Sequence, residues 1–314
     1  MSLAENLVIV LVAGLITALA TGIGALPFFF VEDFSDRWNV GLWGIASGIM
    51  VTVSVLGLVD EGLAYASSGF PTLMVGGLFA GVALVEVSDR VLGRVDLGGS
   101  ADHRRERDRD DEHEHGREAT ELDEVRANGA GHGYGHGHDG PPIEAAAFAE
   151  GDLKKLVLIL GILTVHSFPE GVAVGVSFAE LGLGGGVSIL GVSIPLLAVF
   201  MTIAISIHNV PEGTAIAIPM RAMGLSNWRM VGAAVFSSLP QPIGAVIAFA
   251  FVSWAEAFLP FGFGFAAGAM VYLVATEFIP EALETGADLP NRGRRELLVG
   301  FAAGAVAMLP VVLV

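Results

Sequence analysis

The sequence predicts an all-α polytopic membrane protein with eight transmembrane helices, on three observations. First, 53% of its 314 residues are hydrophobic and only 16% are charged, whereas soluble domains carry about 25% charged residues. Second, the chain contains eight apolar runs, and about 20 apolar residues are enough to cross a bilayer core as a helix. Third, the basic residues fall between these runs in a regular alternation.

The apolar runs are separated by short polar, glycine-rich or proline-rich stretches such as "SSGFP", "LGLGGG" and "GADLPNRGRR". Stretches of this composition are typical of turns between helices. The predicted spans cover residues 4–30, 40–66, 71–93, 152–180, 188–219, 226–253, 258–284 and 294–314.

Lysine and arginine accumulate on the cytoplasmic side of membrane proteins, and this rule tests the number of spans. All sixteen basic residues lie in or beside alternate loops, namely those after the first, third, fifth and seventh runs. Adding or deleting one span would scatter them over both sides. The sequence therefore predicts a multi-pass protein of the cell (plasma) membrane with both termini extracellular.

The long loop at 94–151 divides the spans into two groups, 1–93 with three spans and 152–314 with five, which together form one membrane domain. Between Arg94 and Lys155 lie sixteen of the 33 acidic residues and six of the eight histidines. Such a segment cannot bury enough apolar area to offset ordering its backbone, so we predict a disordered, acidic cytoplasmic loop. Its histidines either bind transition metal ions weakly or belong to a solvated loop that does not bind metal.

Several classes of function are excluded by composition. The chain has no cysteine, which removes disulfides, thiolate metal sites and cysteine nucleophiles. Its net charge of −17 with only two lysines argues against nucleic acid as a partner, because phosphate binding needs a basic face. An enzyme is not expected, because the predicted spans contain no paired aspartates, no H-E-x-x-H motif and no serine with the partners of a catalytic triad.

Two stretches repeat one motif inside apolar runs, "LTVHSFPEGVAVG" and "AISIHNVPEGTAIAI". In each the histidine and glutamate are four residues apart, His166 with Glu170 and His208 with Glu212, so a helix stacks them on one face. Carboxylates within the bilayer are costly and mark ion pathways. Two imidazoles and two carboxylates suit zinc, or else iron, manganese or cadmium. Internal hydrogen bonding and proton relay are the alternatives.

At these residues the chain resembles the ZIP family of divalent metal transporters, in its GufA-like prokaryotic branch. "HSFPEG" and "HNVPEG" are similar to the family's fourth-span and fifth-span motifs, "ASGIMVTVSVLGLVDEGL" to its second span and "ATEFIPEAL" to its seventh. The resemblance implies a ZIP-type bundle whose first and last three spans form an inverted repeat. It also implies a binuclear centre, with divalent metal as the transported substrate and no prosthetic group.

By this resemblance the more constant metal site takes the two histidines and two glutamates of the motifs. Met50 is a candidate soft ligand, with ordinary packing as the alternative. Asn209 belongs to a second site that shares Glu170 and Glu212. The chain departs from the family pattern at Ser167, where asparagine is usual, and at Gln241, where glutamate is usual. Both residues are neutral, so we predict one strong metal site and a weak or absent second one.

Four further acids are candidates for the metal pathway. Glu277 and Glu281 lie four residues apart in the seventh span and would form a route between the centre and the cytoplasm. Asp60 and Glu61 lie at the outer end of the second span, where they would attract cations. The alternative for both pairs is that they are solvated surface acids.

The predicted function is transport of a divalent transition metal, zinc above all, across the cell membrane, inward by the family resemblance. A proton-linked transporter and a metal sensor without flux are the alternatives. The expected partners are divalent metal ions and the lipid bilayer. A homodimer is compatible with the sequence, which does not specify it.

Overall fold

A computed structural model describes residues 2–31, 35–65, 70–92, 166–181, 186–189, 191–222 and 224–312. The predicted disordered loop at 94–151 and the first part of the predicted fourth span lie outside these ranges. Eight helices are present in the described ranges when helices that continue through a short irregular turn are counted as one. Their bounds are α1 Leu3–Gly24, α2 Asp36–Ala64, α3 Thr72–Leu92, α4 166–177, α5 Leu196–Ala222, α6 Asn227–Trp254, α7 Leu259–Leu273 continued by Val274–Phe278 and Ile279–Thr285, and α8 Arg294–Val312.

Five of these helical stretches are long and apolar enough to cross a membrane, counted over the described residues. They comprise α1 with the 3-10 turn after it, α2, most of α5, α6, and α7 with the 3-10 turn before it. The apolar part of α3 is shorter, at Thr72–Ser88. The chain is therefore a multi-pass helical membrane protein. Several of its helices present large apolar side chains on the outer surface of the bundle, such as Leu19 and Ile247.

The fifth span departs from its predicted start at residue 188. Residues Val187–Ile189 and Val192–Ile194 form a small antiparallel hairpin, β1 and β2, in which Ser188 pairs with Ser193. Gly191 has φ +82° in the turn, a left-handed conformation that glycine adopts without a Cβ penalty. The repeated "VSI" alternates apolar and polar residues, which favours a strand, and helix α5 begins after Pro195. The chain is thus mostly helical, as predicted, with this one short hairpin added among the described residues.

Two helices contain a π turn, which the sequence did not predict. In α2 it covers Val53–Leu58 and in α7 it covers Val274–Phe278. A π turn inserts one extra residue per turn and changes the face on which later side chains lie, and such turns are frequent at functional sites. In α7 this insertion contains Glu277 and Phe278, both of which reach the site described below.

Backbone contact between helices organises the bundle into pairs. Helix α2 packs against α8 and helix α3 against α7 along most of their lengths. Glycine makes this approach feasible, because a Cβ on either member of a seam would overlap a carbonyl oxygen of the other helix. The glycines are Gly44, Gly48, Gly300 and Gly304 in the first seam and Gly77, Gly81, Gly264 and Gly268 in the second. Small residues at helix contacts are the usual means of close packing in membranes.

Candidate metal centre

Helices α4 and α5 contain the two repeated motifs, and a glycine in each motif allows close approach of a different neighbouring helix. A Cβ on Gly171 of α4 would overlap the carbonyl oxygen of Gln241 in α6, and one on Gly213 of α5 would overlap that of Thr21 in α1. Helix α5 is continuous through Pro211. Pro211 therefore removes one backbone N–H donor from α5 without ending the helix.

Three ionisable side chains from α4 and α5 meet inside the bundle. One ligand atom each from Glu170, His208 and Glu212 lies within 4.8 Å of the other two. The Nε2 atom of His208 is 3.3 Å from Oε1 of Glu170, and the two side chains are 1% and 2% exposed. The buried Oε2 atom of Glu212 has no hydrogen-bond partner among the described residues. Since an unpaired buried carboxylate oxygen is costly, this cluster favours a bound cation.

His166 lies at the edge of this cluster and contacts a residue of another helix. Its Nε2 atom is 2.9 Å from Oε1 of Glu277 in the π turn of α7. Both side chains are partly exposed, at 25% and 30%. Of the four residues proposed for one site, three therefore share a common point and the fourth is paired with an acid assigned to the pathway.

An amide network occupies the side of Glu170 that faces α6. The amide nitrogen of Gln241 donates to Oε2 of Glu170 over 2.5 Å. Asn209 donates to Oε1 of Gln241 over 3.0 Å and to the carbonyl oxygen of Thr17 over 2.7 Å. Both amide side chains are fully buried. The predicted second-site residues Asn209 and Gln241 are thus brought to the shared glutamate, where they satisfy one another.

The two remaining predicted ligands, Ser167 and Met50, have other surroundings. Ser167 is buried on α4 and its hydroxyl donates to the carbonyl oxygen of Ser237 over 3.2 Å. Met50 is 1% exposed and belongs to the main apolar core of the bundle. Among the described residues, neither forms a hydrogen bond or ion pair with Glu170, His208 or Glu212.

Phe278 is a site residue that the sequence analysis missed. Its ring stacks on the imidazole of His208, with centroids 5.4 Å apart and planes inclined by 15°. Trp43 of α2 contacts the same ring at 4.9 Å. Phe278 is adjacent to Glu277 in the π turn, so one irregular turn supplies contacts to both motif histidines. An aromatic residue next to a pathway acid was the only available signal.

The outlying acids lie away from this point, near the ends of their helices. Asp60 is exposed and Glu61 is half-buried on α2, and Glu281 is half-buried on α7. Close to Glu61, the Tyr65 hydroxyl donates to Oε1 of Glu180 over 2.5 Å. Burial, together with this neighbouring carboxylate, raises the pKa of the Tyr65 hydroxyl. Glu180 and Tyr65 thus join α2 to the segment after α4, a contact that the sequence analysis did not identify.

The helical bundle and the buried histidine and glutamate inside it define the class of the protein, an integral membrane protein with an internal His/Glu cluster that could hold a metal ion. A family model described as "ZIP Zinc transporter" matches residues 6–311. The chain belongs to this family, which confirms the resemblance inferred from its motifs.

Three relatives illustrate the range of similarity. A candidate zinc transporter of Arabidopsis thaliana is 34% identical over 85% of this chain and 33% of its own length. The zinc transporter GufA of Myxococcus xanthus is 36% identical over 49% of this chain and 53% of its own. The zinc transporter ZupT of Corynebacterium aurimucosum is 27% identical over 94% of both. The chain therefore spans only a third to a half of the first two.

Proposed function

We propose that this protein carries divalent transition metal ions, zinc foremost, across the cell membrane into the cytoplasm. The observation that carries this proposal is the convergence of Glu170, His208 and Glu212 within 4.8 Å inside an apolar bundle. Mixed imidazole and carboxylate ligands suit zinc and its neighbours, whereas magnesium and calcium favour oxygen ligands alone. Family membership and the names of the relatives support the same substrate class.

His166 is proposed as the fourth ligand of this site. It lies one helical turn before Glu170 on α4, and its partner Glu277 belongs to another helix. In this proposal His166 exchanges its contact with Glu277 for coordination of the metal ion, so Glu277 loses its partner when the ion binds. Glu277 and Glu281 then line the route by which the ion leaves toward the cytoplasm. Asp60 and Glu61 attract ions at the outer entrance.

The transported ion is proposed to bind singly. A second divalent ion beside Glu170 would need a further anionic ligand, and the position next to its Oε2 atom is taken by the neutral amide of Gln241. An amide nitrogen donates hydrogen bonds and cannot coordinate a cation. Ser167 is also neutral and hydrogen-bonded to Ser237. These two residues favour one metal ion per protein.

The proposed topology has eight spans, with both termini outside the cell. Exposed aromatic side chains support it, because tryptophan and other aromatics concentrate at membrane interfaces. Trp38 and Trp228 are 69% and 72% exposed at helix ends assigned to the cytoplasmic side, and Trp254 is 85% exposed at an end assigned to the outside. The orientation itself rests on the arginine and lysine distribution.

An inverted repeat is proposed to relate α1–α3 to α6–α8, as in many transporters. The glycine seams support it. Each seam glycine of α2 has a counterpart 220 residues later in α7, as Gly44 has in Gly264, and each seam glycine of α3 has one 223 residues later in α8, as Gly77 has in Gly300. The residues whose carbonyl oxygens lie opposite these glycines are related by the same two offsets. The π turns at Val53–Leu58 and Val274–Phe278 also fall at equivalent places.

The decisive experiment is metal uptake into proteoliposomes containing the full-length protein. Wild type is compared with Glu212→Gln and with the matched control Glu256→Gln, which alters an exposed acid outside the cluster. We expect saturable zinc uptake in wild type and control, blocked by a chelator, and at least about a tenfold loss in Glu212→Gln. Proton flux indifferent to chelator would identify a proton-linked transporter, and zinc binding without uptake would identify a sensor. Either result contradicts the proposal.

A further inference from the structure

Helix α8 begins beside a cleft that the metal site does not use. The cleft has a volume of about 590 Å³ and lies at the turn that connects α7 to α8. Its wall is formed by Asn291, Arg292, Arg294, Arg295, Leu298 and Val299. All six residues are exposed. Cationic and apolar groups thus line the same depression.

The three arginines of the cleft are not paired with an acid of the described residues. None of Arg292, Arg294 and Arg295 forms an ion pair with any residue in the described part of the chain. The neighbouring acid, Glu296, is paired with Arg37 of α2 at 3.4 Å. The guanidinium groups are therefore available to an external anion, for which the planar fork of arginine is well suited.

The backbone fixes where these arginines lie. Asn291 and Arg292 have φ values of 56° and 54° and Gly293 has 66°, so three consecutive residues are left-handed. Gly293 is buried against Val40 of α2, where a Cβ would come within 3.2 Å of a valine methyl group. This contact holds the turn against α2, and the arginines on either side of Gly293 line the cleft.

The cleft lies at the boundary between polar and apolar surface. Leu298 and Val299, in the first turns of α8, are 67% and 64% exposed, as expected of side chains that face lipid. Trp38, at the adjoining start of α2, is 69% exposed, and tryptophan marks the headgroup level of a bilayer. The arginines therefore lie where phospholipid headgroups would be.

We infer that this cleft is a binding site for an anionic phospholipid of the cytoplasmic leaflet. The headgroup phosphate is held by Arg292, Arg294 and Arg295, and the start of an acyl chain lies along Leu298 and Val299. The apolar wall favours a lipid over free phosphate, which would gain nothing from it. Basic pockets at the cytoplasmic ends of membrane helices bind anionic headgroups in this way. The inference goes beyond metal transport, and its assignment to the cytoplasmic leaflet rests on the proposed topology.

Native mass spectrometry of the full-length protein in detergent tests the inference, with phosphatidylglycerol and phosphatidylcholine titrated separately. The variant Arg294→Gln/Arg295→Gln is compared with Arg221→Gln/Arg229→Gln, which removes the same charge from the other short basic loop. We expect one phosphatidylglycerol to bind wild type and control at least tenfold more tightly than phosphatidylcholine. The cleft variant should lose at least tenfold in phosphatidylglycerol affinity, consistent with two arginines near a membrane surface.

Three results would overturn it. Equal binding of the two lipids by wild type would remove the role of headgroup charge. An equal loss in both double variants would indicate general charge attraction rather than this cleft. Displacement of the lipid by inorganic phosphate at equal concentration would identify a free-phosphate site. A circular dichroism melt of each variant separates these outcomes from misfolding, and Arg292→Gln serves as the alternative variant if the double change unfolds the protein.

Discussion

The amide nitrogen of Gln241 lies 2.5 Å from Oε2 of Glu170 and donates a hydrogen bond to it. The opposite oxygen of the same carboxylate, Oε1, lies 3.3 Å from Nε2 of His208. The amide therefore orients Glu170 so that one oxygen is satisfied within the protein and the other is directed into the cluster. A neutral residue of α6 thus decides which part of the glutamate is available to a metal ion.

Replacing Gln241 by glutamate should create a second metal site or strengthen the first. The new carboxylate would bring a negative charge next to Glu170 and would replace a donor by an acceptor. We expect isothermal titration calorimetry with zinc to give a second equivalent, or about tenfold tighter binding at the first. Gln241→Met, which also removes the donor but adds no charge, is the control. Unchanged stoichiometry and affinity in Gln241→Glu would contradict the proposed role.

Metal uptake should fall as the external pH falls from about 8 to about 5. Metal ligands must be deprotonated, so protons and metal compete for imidazole and carboxylate, and an ordinary histidine titrates at about pH 6.5. The direction is fixed, because protonation at lower pH removes ligands. Initial rates of zinc uptake at subsaturating zinc measure the profile. A flat profile over this range would be incompatible with the assigned ligands.

Replacing Phe278 by leucine should weaken zinc binding without unfolding the bundle. The change removes the ring stacked on His208 at 5.4 Å, and such aromatic contacts contribute about 0.5–1.5 kcal/mol. We expect about 3–10-fold higher zinc Kd or uptake KM. Phe261→Leu, elsewhere on α7, is the control and should leave both unchanged. The role of the stacked ring is refuted if the two variants behave alike.

Substituting alanine for Gly77 should destabilise the protein, whereas the same change at Gly76 should not. A Cβ on Gly77 would overlap the carbonyl oxygen of Phe261 in α7, while a Cβ on Gly76 meets nothing within 4 Å. Overpacking costs about 1–3 kcal/mol, and alanine is otherwise the better helix former. Thermal melting in detergent should give a lower Tm for Gly77→Ala only. A similar Tm for both would show that the seam can open at little cost.

The helices could be predicted from sequence because they depend on local periodicity, and the repeated motif indicated three of the residues that meet at the centre. Apolar runs and basic loops gave the order of the helices, and the spacing of four placed Glu170 near His166 and Glu212 near His208 on their own helices. The meeting of the two motifs followed from their repetition in neighbouring spans. The structure brings Glu170, His208 and Glu212 within one small volume.

The features that sequence reasoning missed depend on contacts between distant helices. The pairing of His166 with Glu277 requires the extra residue of the π turn in α7, which no periodicity in that span reveals. The stacking of Phe278 on His208 has the same origin. The hairpin before α5 was missed because "VSIPLLAVF" is apolar enough to extend a span, although Pro195 marks where the helix can begin.

Because position 241 holds a neutral glutamine where glutamate is usual in the family, the net charge of the cluster depends on Glu170 and Glu212. With a dication between Glu170 and Glu212, the two carboxylates and the ion sum to zero, so the occupied cluster adds no net charge to the apolar interior of the bundle. The vacant cluster carries two negative charges unless protons neutralise them. The free-energy cost of burying charge in the bundle therefore falls on the vacant cluster and not on the occupied one.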